Sequence, residues 1–210
     1  MKTSGRFAAQ HSLEPTAPSA LFESRPVGFV GRLVQEVGSV NPAPRLSFSV
    51  SPPNLELQKD AMPDLIFVPI DEPGLHLLQS WFKNDELQRR YDRPTDTWLE
   101  YVRNEPGVYA WIIYEDEVPV SHLQLDTEAE GTGYVGLVVK PELRNRGYCK
   151  RILRALLDRP EVLQLNRIVG TVEADNVASH RCVEAVGFVQ QGNEPDEDGF
   201  LVFVYSREAG

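Results

Sequence analysis

The chain has 210 residues, of which 41% are apolar and 25% charged, and a formal net charge of −10. This composition is that of a soluble globular protein with one core, and no apolar run approaches the roughly 20 residues that a membrane helix requires. The two cysteines, Cys149 and Cys182, are too few for a disulfide framework and not at metal-ligand spacing, so they read as reduced thiols packed in the interior; with four scattered histidines, no metal site is expected.

The charge is unevenly spread, with six Lys/Arg against five Asp/Glu in residues 1–61 and fifteen against twenty-six in residues 62–210. So acidic a domain repels nucleic acid phosphates and suits a cationic partner, which argues against a nucleic-acid function. Lys2 and Arg6 are followed by no apolar stretch, so no secretory leader is expected and the cytoplasm is the expected location. Residues 1–61 hold seven of the sixteen prolines and read as a mostly disordered extension, in which Val27 to Val40 has pattern enough only for a short helix or strand. Met62 stands directly before the first convincing strand, so a start of translation there is a second possibility, and the domain proper is residues 62–210.

From Leu65 the pattern becomes regular. The run Leu65 to Val68 predicts a strand, Leu75, Leu77, Leu78, Trp81 and Phe82 a helix, and Pro94-Thr95 the start of a second helix carrying Trp98, Leu99, Tyr101 and Val102. Val108 to Tyr114 and Val118 to Leu125 read as a hairpin around the acidic turn Glu115-Asp116-Glu117, and Tyr134 to Val139 as a third antiparallel strand. An amphipathic helix from near Gly147, a strand at Arg167 to Val172, a helix around Ala178 to Val186 stopped by Gly187, and strands at Phe188 to Gln191 and Phe200 to Tyr205 complete the chain. The expected class is α+β, with a mixed, mainly antiparallel central sheet flanked by helices.

The informative stretch runs from Val138 through Pro141-Glu142-Leu143-Arg144-Asn145-Arg146-Gly147-Tyr148-Cys149, an apolar strand leading through a short loop into an amphipathic helix. The unpaired N–H groups of a helix start, and the positive end of its dipole, make an anion site there. Gly147 lets the backbone approach phosphate oxygens, while Arg144 and Arg146 supply positive charge. A Walker A loop and a three-glycine dinucleotide fingerprint are both absent.

This stretch resembles the signature of the GNAT acyltransferases, with Arg144, Gly147 and Cys149 in the three specified positions; Cys149 departs from the usual Gly or Ala. A second match is Asn176 to Phe188, containing Ser179, His180, Cys182, Val183 and the Gly187-Phe188 exit. The resemblance covers roughly Leu65 to Tyr205. It implies acetyl-CoA as co-substrate, bound through Leu137, Val138, Val139, Arg144, Asn145, Arg146, Gly147, Tyr148, Cys149, Asn176 and Ser179, with the pantetheine arm between two splayed strands. It implies direct attack by an amine, with no cysteine nucleophile. The tyrosine that many members place seven residues after the Asn, to protonate the thiolate, is Val183 here, so Ser179 is the candidate catalytic donor, weighed against a plain helix cap. Asp126 is the preferred candidate base, with His122, Glu173 and Glu100 as lesser candidates.

The early helices, which usually shape the acceptor pocket in this family, hold Trp81, Phe82, Arg89, Arg90, Tyr91, Asp92, Pro94, Thr95 and Trp98. The Trp81-Phe82 and Pro94-Thr95 pairs, with Ser179 to Phe188, resemble those of aminoglycoside 6'-N-acetyltransferases, and such features also occur in the ribosomal-protein acetyltransferase branch. The expected acceptor is an aminoglycoside or another small-molecule amine. Alternatives are an N-terminal acetyltransferase of the ribosomal-protein type and an acyl-CoA-binding sensor without turnover. A homodimer is left open.

Overall fold

A computed structural model describes residues 64–207 and, in addition, the backbone of Leu33–Val34. The elements in chain order are β1 (Leu33–Val34), β2 (Ile66–Pro69), α1 (Glu72–Trp81), α2 (Asp85–Arg90), α3 (Asp96–Asn104), β3 (Val108–Glu115), β4 (Val118–Thr127), β5 (Thr132–Val139), a 3-10 turn at Pro141–Leu143, α4 (Tyr148–Leu157), α5 (Pro160–Leu163), β6 (Arg167–Glu173), α6 (Val177–Glu184), β7 (Val189–Gln191) and β8 (Phe200–Ser206). The sheet has eight strands, in the order β2-β3-β4-β5-β6-β8-β7, with β1 paired to β5 off that path. Only the β5–β6 and β1–β5 pairs are parallel, so the mixed, mainly antiparallel sheet expected from the sequence is the observed one.

Strand alternation divides the core. Trp111, Ile113, Leu123 and Leu125 point to one face, where Ile152, Leu153 and Leu156 of α4 and Cys182 and Val183 of α6 cover them. Ala110, Ile112 and Val138 point to the other, beneath Leu75 and Leu78 of α1, Leu87 of α2 and Trp98 and Leu99 of α3. The β3–β4 turn sits on Asp116 and Glu117, both with positive φ (46° and 66°), the geometry that a tight hairpin requires.

Three differences from the sequence reading matter. The helices α2 and α5 are too short, at six and four residues, to show a period, and α2 announces itself only through its cap, Asn84, which accepts from Leu87 N at 2.9 Å. The disordered extension expected over residues 1–61 lies outside the described residues, except that Leu33–Val34, within the stretch given a short element, is a strand. Cys149 and Cys182 are not reduced thiols: their sulfurs are bonded at 1.99 Å, with Cα atoms 6.4 Å apart. The cause is tertiary, since α4 and α6 lie side by side on one sheet face and both residues point inward, which no spacing in the sequence displays. Among the described residues no helix is long and apolar enough to cross a membrane.

Candidate active site

The parallel pair β5–β6 holds only over Thr132–Tyr134 against Arg167–Val169. Beyond that the strands part: β5 continues to Val139 along β4, and β6 continues to Glu173 along β8. A wedge opens between them. Its β5 wall is Leu137, Val138 and Val139, at most 1% exposed. Because β4 takes the other edge of β5 along its whole length, β1 must enter from the wedge side, and it pairs there with Leu137 and Val138 while touching β6 and α6.

The orientation of the wall follows from alternation along a strand. Lys140 N donates to Val120 O at 2.9 Å and Ser121 Oγ to Val138 O at 2.7 Å, so the polar groups of Val138 face β4. Those of Leu137 and Val139 therefore face the wedge. The hydroxyl of Tyr91, a residue only 3% exposed, reaches this wall and donates to Leu137 O at 3.2 Å.

At the mouth of the wedge the loop after β5 turns into α4. Asn145 and Gly147 have φ of +62° and +82°, and Gly147 is the cap residue of α4 with no side-chain bond to the helix. A Cβ there would meet nothing within 4 Å, so the space before the helix start is open, and the positive φ itself selects glycine. The first N–H groups of α4 face this space without intrahelical partners. Arg146 stands exposed beside it, whereas Arg144 is buried. Tyr148 is tied away from the opening: its hydroxyl bonds Glu115 at the hairpin tip, and Arg151 pairs with the same carboxylate at 2.5 Å. Burial pushes the Glu115 carboxyl up, but the bonds from Tyr148 and Arg151 outweigh it and the net shift is downward.

The far wall is the start of α6. Asn176 Oδ1 accepts from Ser179 N at 3.2 Å, so Asn176 and not Ser179 is the cap of α6. Ser179 is fully buried, and its Oγ has no hydrogen-bond partner among the described residues. The disulfide joins the start of α4 to α6, since Cys149 is the second residue of α4 and Cys182 lies one turn beyond Ser179.

The candidate bases fall on the opposite sheet face. Asp126 is fully buried, its Oδ1 accepting from Gln124 Nε2 at 2.8 Å and its Oδ2 from Tyr101 Oη at 3.2 Å, while Gln124 Oε1 accepts from Trp98 Nε1 at 3.0 Å. His122, on the same strand face, is pushed down to a pKa of about 3 by burial, with its ring edge-on to Trp98. A histidine so shifted is a poor base near neutrality. Glu173 is bound to Arg90, and Glu100 lies exposed on α3. The sequence reading counted Arg90 and Tyr91 among the residues of the early helices that shape the acceptor pocket, but gave neither a part in the wedge. Arg90, 6% exposed, pairs with Glu86 on its own helix, with Glu173 at the end of β6 and with Asp175 (2.8 Å) just beyond it, so the end of α2 bridges to the far lip of the wedge. The only sequence signal was the Glu86–Arg90 spacing of one helical turn.

Three likenesses to known proteins accord with this geometry. The Bacillus subtilis (strain 168) protein described as the uncharacterized N-acetyltransferase YfmK is 34% identical over 140 residues, covering 66% of this chain and 94% of the relative. Among solved structures, the aminoglycoside acetyltransferase AAC(6')-Ib in complex with coenzyme A and kanamycin superposes with a TM-score of 0.57 at 21% identity, covering 69% of this chain and 96% of that one. The spermidine N-acetyltransferase from Vibrio cholerae in complex with CoA and spermine gives a TM-score of 0.57 at 15% identity, covering 68% and 95%. Residues 75–188 match the profile of the Acetyltransferase (GNAT) family, and with the wedge, the loop and the helix start in place the chain belongs to that family.

Proposed function

We propose that the protein transfers an acetyl group from acetyl-CoA to a small-molecule amine by direct attack within a ternary complex. The observation that carries this reading is the wedge between β5 and β6 ending at the open start of α4. The amides of Gly147, Tyr148 and Cys149, with Asn145 completing the turn and Arg146 beside it, are suited to a pyrophosphate. Arg144 supports this loop from within. The β5 edge at Leu137 to Val139 accepts a strand, as β1 demonstrates, and the amide-bearing pantetheine arm can pair with it in the same manner. Asn176 and Ser179 would line the arm's other side, with the unpartnered Ser179 hydroxyl as a donor to the thioester sulfur.

The amide of Leu137 faces the wedge and is placed to polarise a thioester carbonyl lying along β5. The amine must lose a proton as it attacks, and Asp126 is its candidate destination, reached through the half-buried Tyr101 hydroxyl that it already binds. Kanamycin and spermine, bound by the solved relatives, are both polyamines, and an acidic domain suits such an acceptor.

The test is calorimetric titration of acetyl-CoA into the parent, Gly147→Ala and Gly147→Glu. Both substitutions strain a positive φ, but only the second brings a carboxylate to the phosphate site. The parent should bind, the Ala variant bind more weakly, and the Glu variant lose at least about 2.7 kcal/mol, a hundredfold in affinity. Absence of binding by the parent would overturn the reading.

A further inference from the structure

Acyl transfer ends with a thiolate that leaves carrying the electron pair of the C–S bond, and a proton delivered to sulfur as that bond breaks speeds the step. On α6 the position where a phenol would serve holds Val183, fully buried in the larger core. Ser179, buried at the start of α6 with an unpartnered hydroxyl, could donate a hydrogen bond, but an aliphatic hydroxyl is too weak an acid to be the source of the proton. A phenol, titrating near about 10, lies close to a thiol at about 8.5. The reaction therefore calls for a phenol in the wedge.

We propose that Tyr91, from the end of α2, is that proton donor. Its hydroxyl donates to Leu137 O, and the polar groups of Leu137 are on the wedge side of β5, so the phenol stands inside the slot beside the amide placed to polarise the carbonyl. Tyr91 packs among the helices α1–α3, on the sheet face opposite α4 and α6, so it approaches the sulfur from the side away from Ser179. The neighbouring residue fixes it there. Arg90 holds Glu173 and Asp175 on the β6 side while Tyr91 holds Leu137 on the β5 side, and these two consecutive residues span the wedge from lip to lip. The tip of the phenol is thereby positioned by both strands that would enclose the arm.

In the step itself the amine lone pair forms the C–N bond, the tetrahedral adduct collapses, and the C–S bond breaks with its electron pair on sulfur. Sulfur takes the phenolic proton. The proton that the amine gives up to Asp126 is then passed on through solvent to the phenolate, so Asp126 and the phenol are both restored, and the net change is one proton moved from amine to thiol and no redox step.

This inference rests on acetyl-CoA as donor, and the experiment separates the two. Acetyl-CoA binding is measured by calorimetry, and thiol release from acetyl-CoA is followed with kanamycin, with spermine and with water alone, for the parent, Tyr91→Phe, and protein carrying 3,5-difluorotyrosine at position 91. The Phe variant should bind acetyl-CoA within about threefold of the parent yet release thiol about 100-fold more slowly. The fluorinated phenol keeps the bond to Leu137 but is more acidic, so the alkaline limb of the kcat profile should move to lower pH, which a merely structural hydroxyl would not cause. Thiol release by Tyr91→Phe at more than about a third of the parent rate, or an unmoved alkaline limb, would overturn the role of Tyr91. So would a parent that binds acetyl-CoA but releases no thiol, leaving donor binding intact; a parent that binds none removes both readings.

Discussion

His122 sits on β4 opposite Val138, with no exposed area, and burial holds its imidazole down at about 3. An unfolded histidine takes up its proton near 6.5, so between those values the unfolded chain binds a proton that the native state does not. Stability must therefore fall as pH drops through this window, by up to about 1.4 kcal/mol per unit from this one group. Glu86 and Asp175 add to the same trend, because bonds from Arg89 and Arg90 outweigh burial and hold both carboxyls below their usual range, so their contribution is also lost on acidification. Urea denaturation of the parent and of His122→Gln at pH 7 and pH 5 isolates the histidine: the parent should lose more stability between the two than the variant does. At this scale Gly147 was legible in the sequence, because a glycine between a strand-end loop and an amphipathic helix has few other reasons to be there. Tyr91 was not, since its significance lies in meeting Leu137 across 46 positions of chain. Asp126 was legible as a strand-end carboxylate, but its burial beneath Tyr101 and Gln124 depends on where α3 lands.

Among the elements, α4 and α6 are the pair whose relation the sequence concealed most completely. Their disulfide closes a segment of 33 positions containing α5 and β6, and restricting that loop in the unfolded chain stabilises the fold by about 3–4 kcal/mol. Reduction, or the double substitution Cys149→Ala/Cys182→Ala, should lower the urea midpoint correspondingly, which a paired denaturation series with and without reductant would measure. The long elements were readable because α3, α4 and the hairpin β3–β4 each repeat their period several times over. The helices α2 and α5 escaped because single turns have no period to display, yet α2 carries Arg90 and leads directly into Tyr91, so a short element positions much of the wedge.

For the molecule as a whole, the chain order of the elements and the mixed, mainly antiparallel character of the sheet were readable in the sequence, whereas the order of strands within the sheet and the seat taken by β1 were not. The stretch Val27 to Val40 shows pattern enough for a short helix or strand but nothing that says where it would pair, and the parting of β5 from β6 leaves the edge that Leu33–Val34 take. Leu33→Pro/Val34→Pro, which removes two backbone donors, should weaken that pairing and tighten acetyl-CoA binding severalfold by calorimetry; unchanged affinity would mean that β1 and the pantetheine arm do not share the edge. A shared edge would make any dissociation constant measured on the full chain a composite, the intrinsic constant divided by the fraction of molecules whose edge is vacant. Donor affinity then becomes a property that evolution can tune from outside the slot, by altering the hold of β1 while every residue that touches the cofactor stays the same.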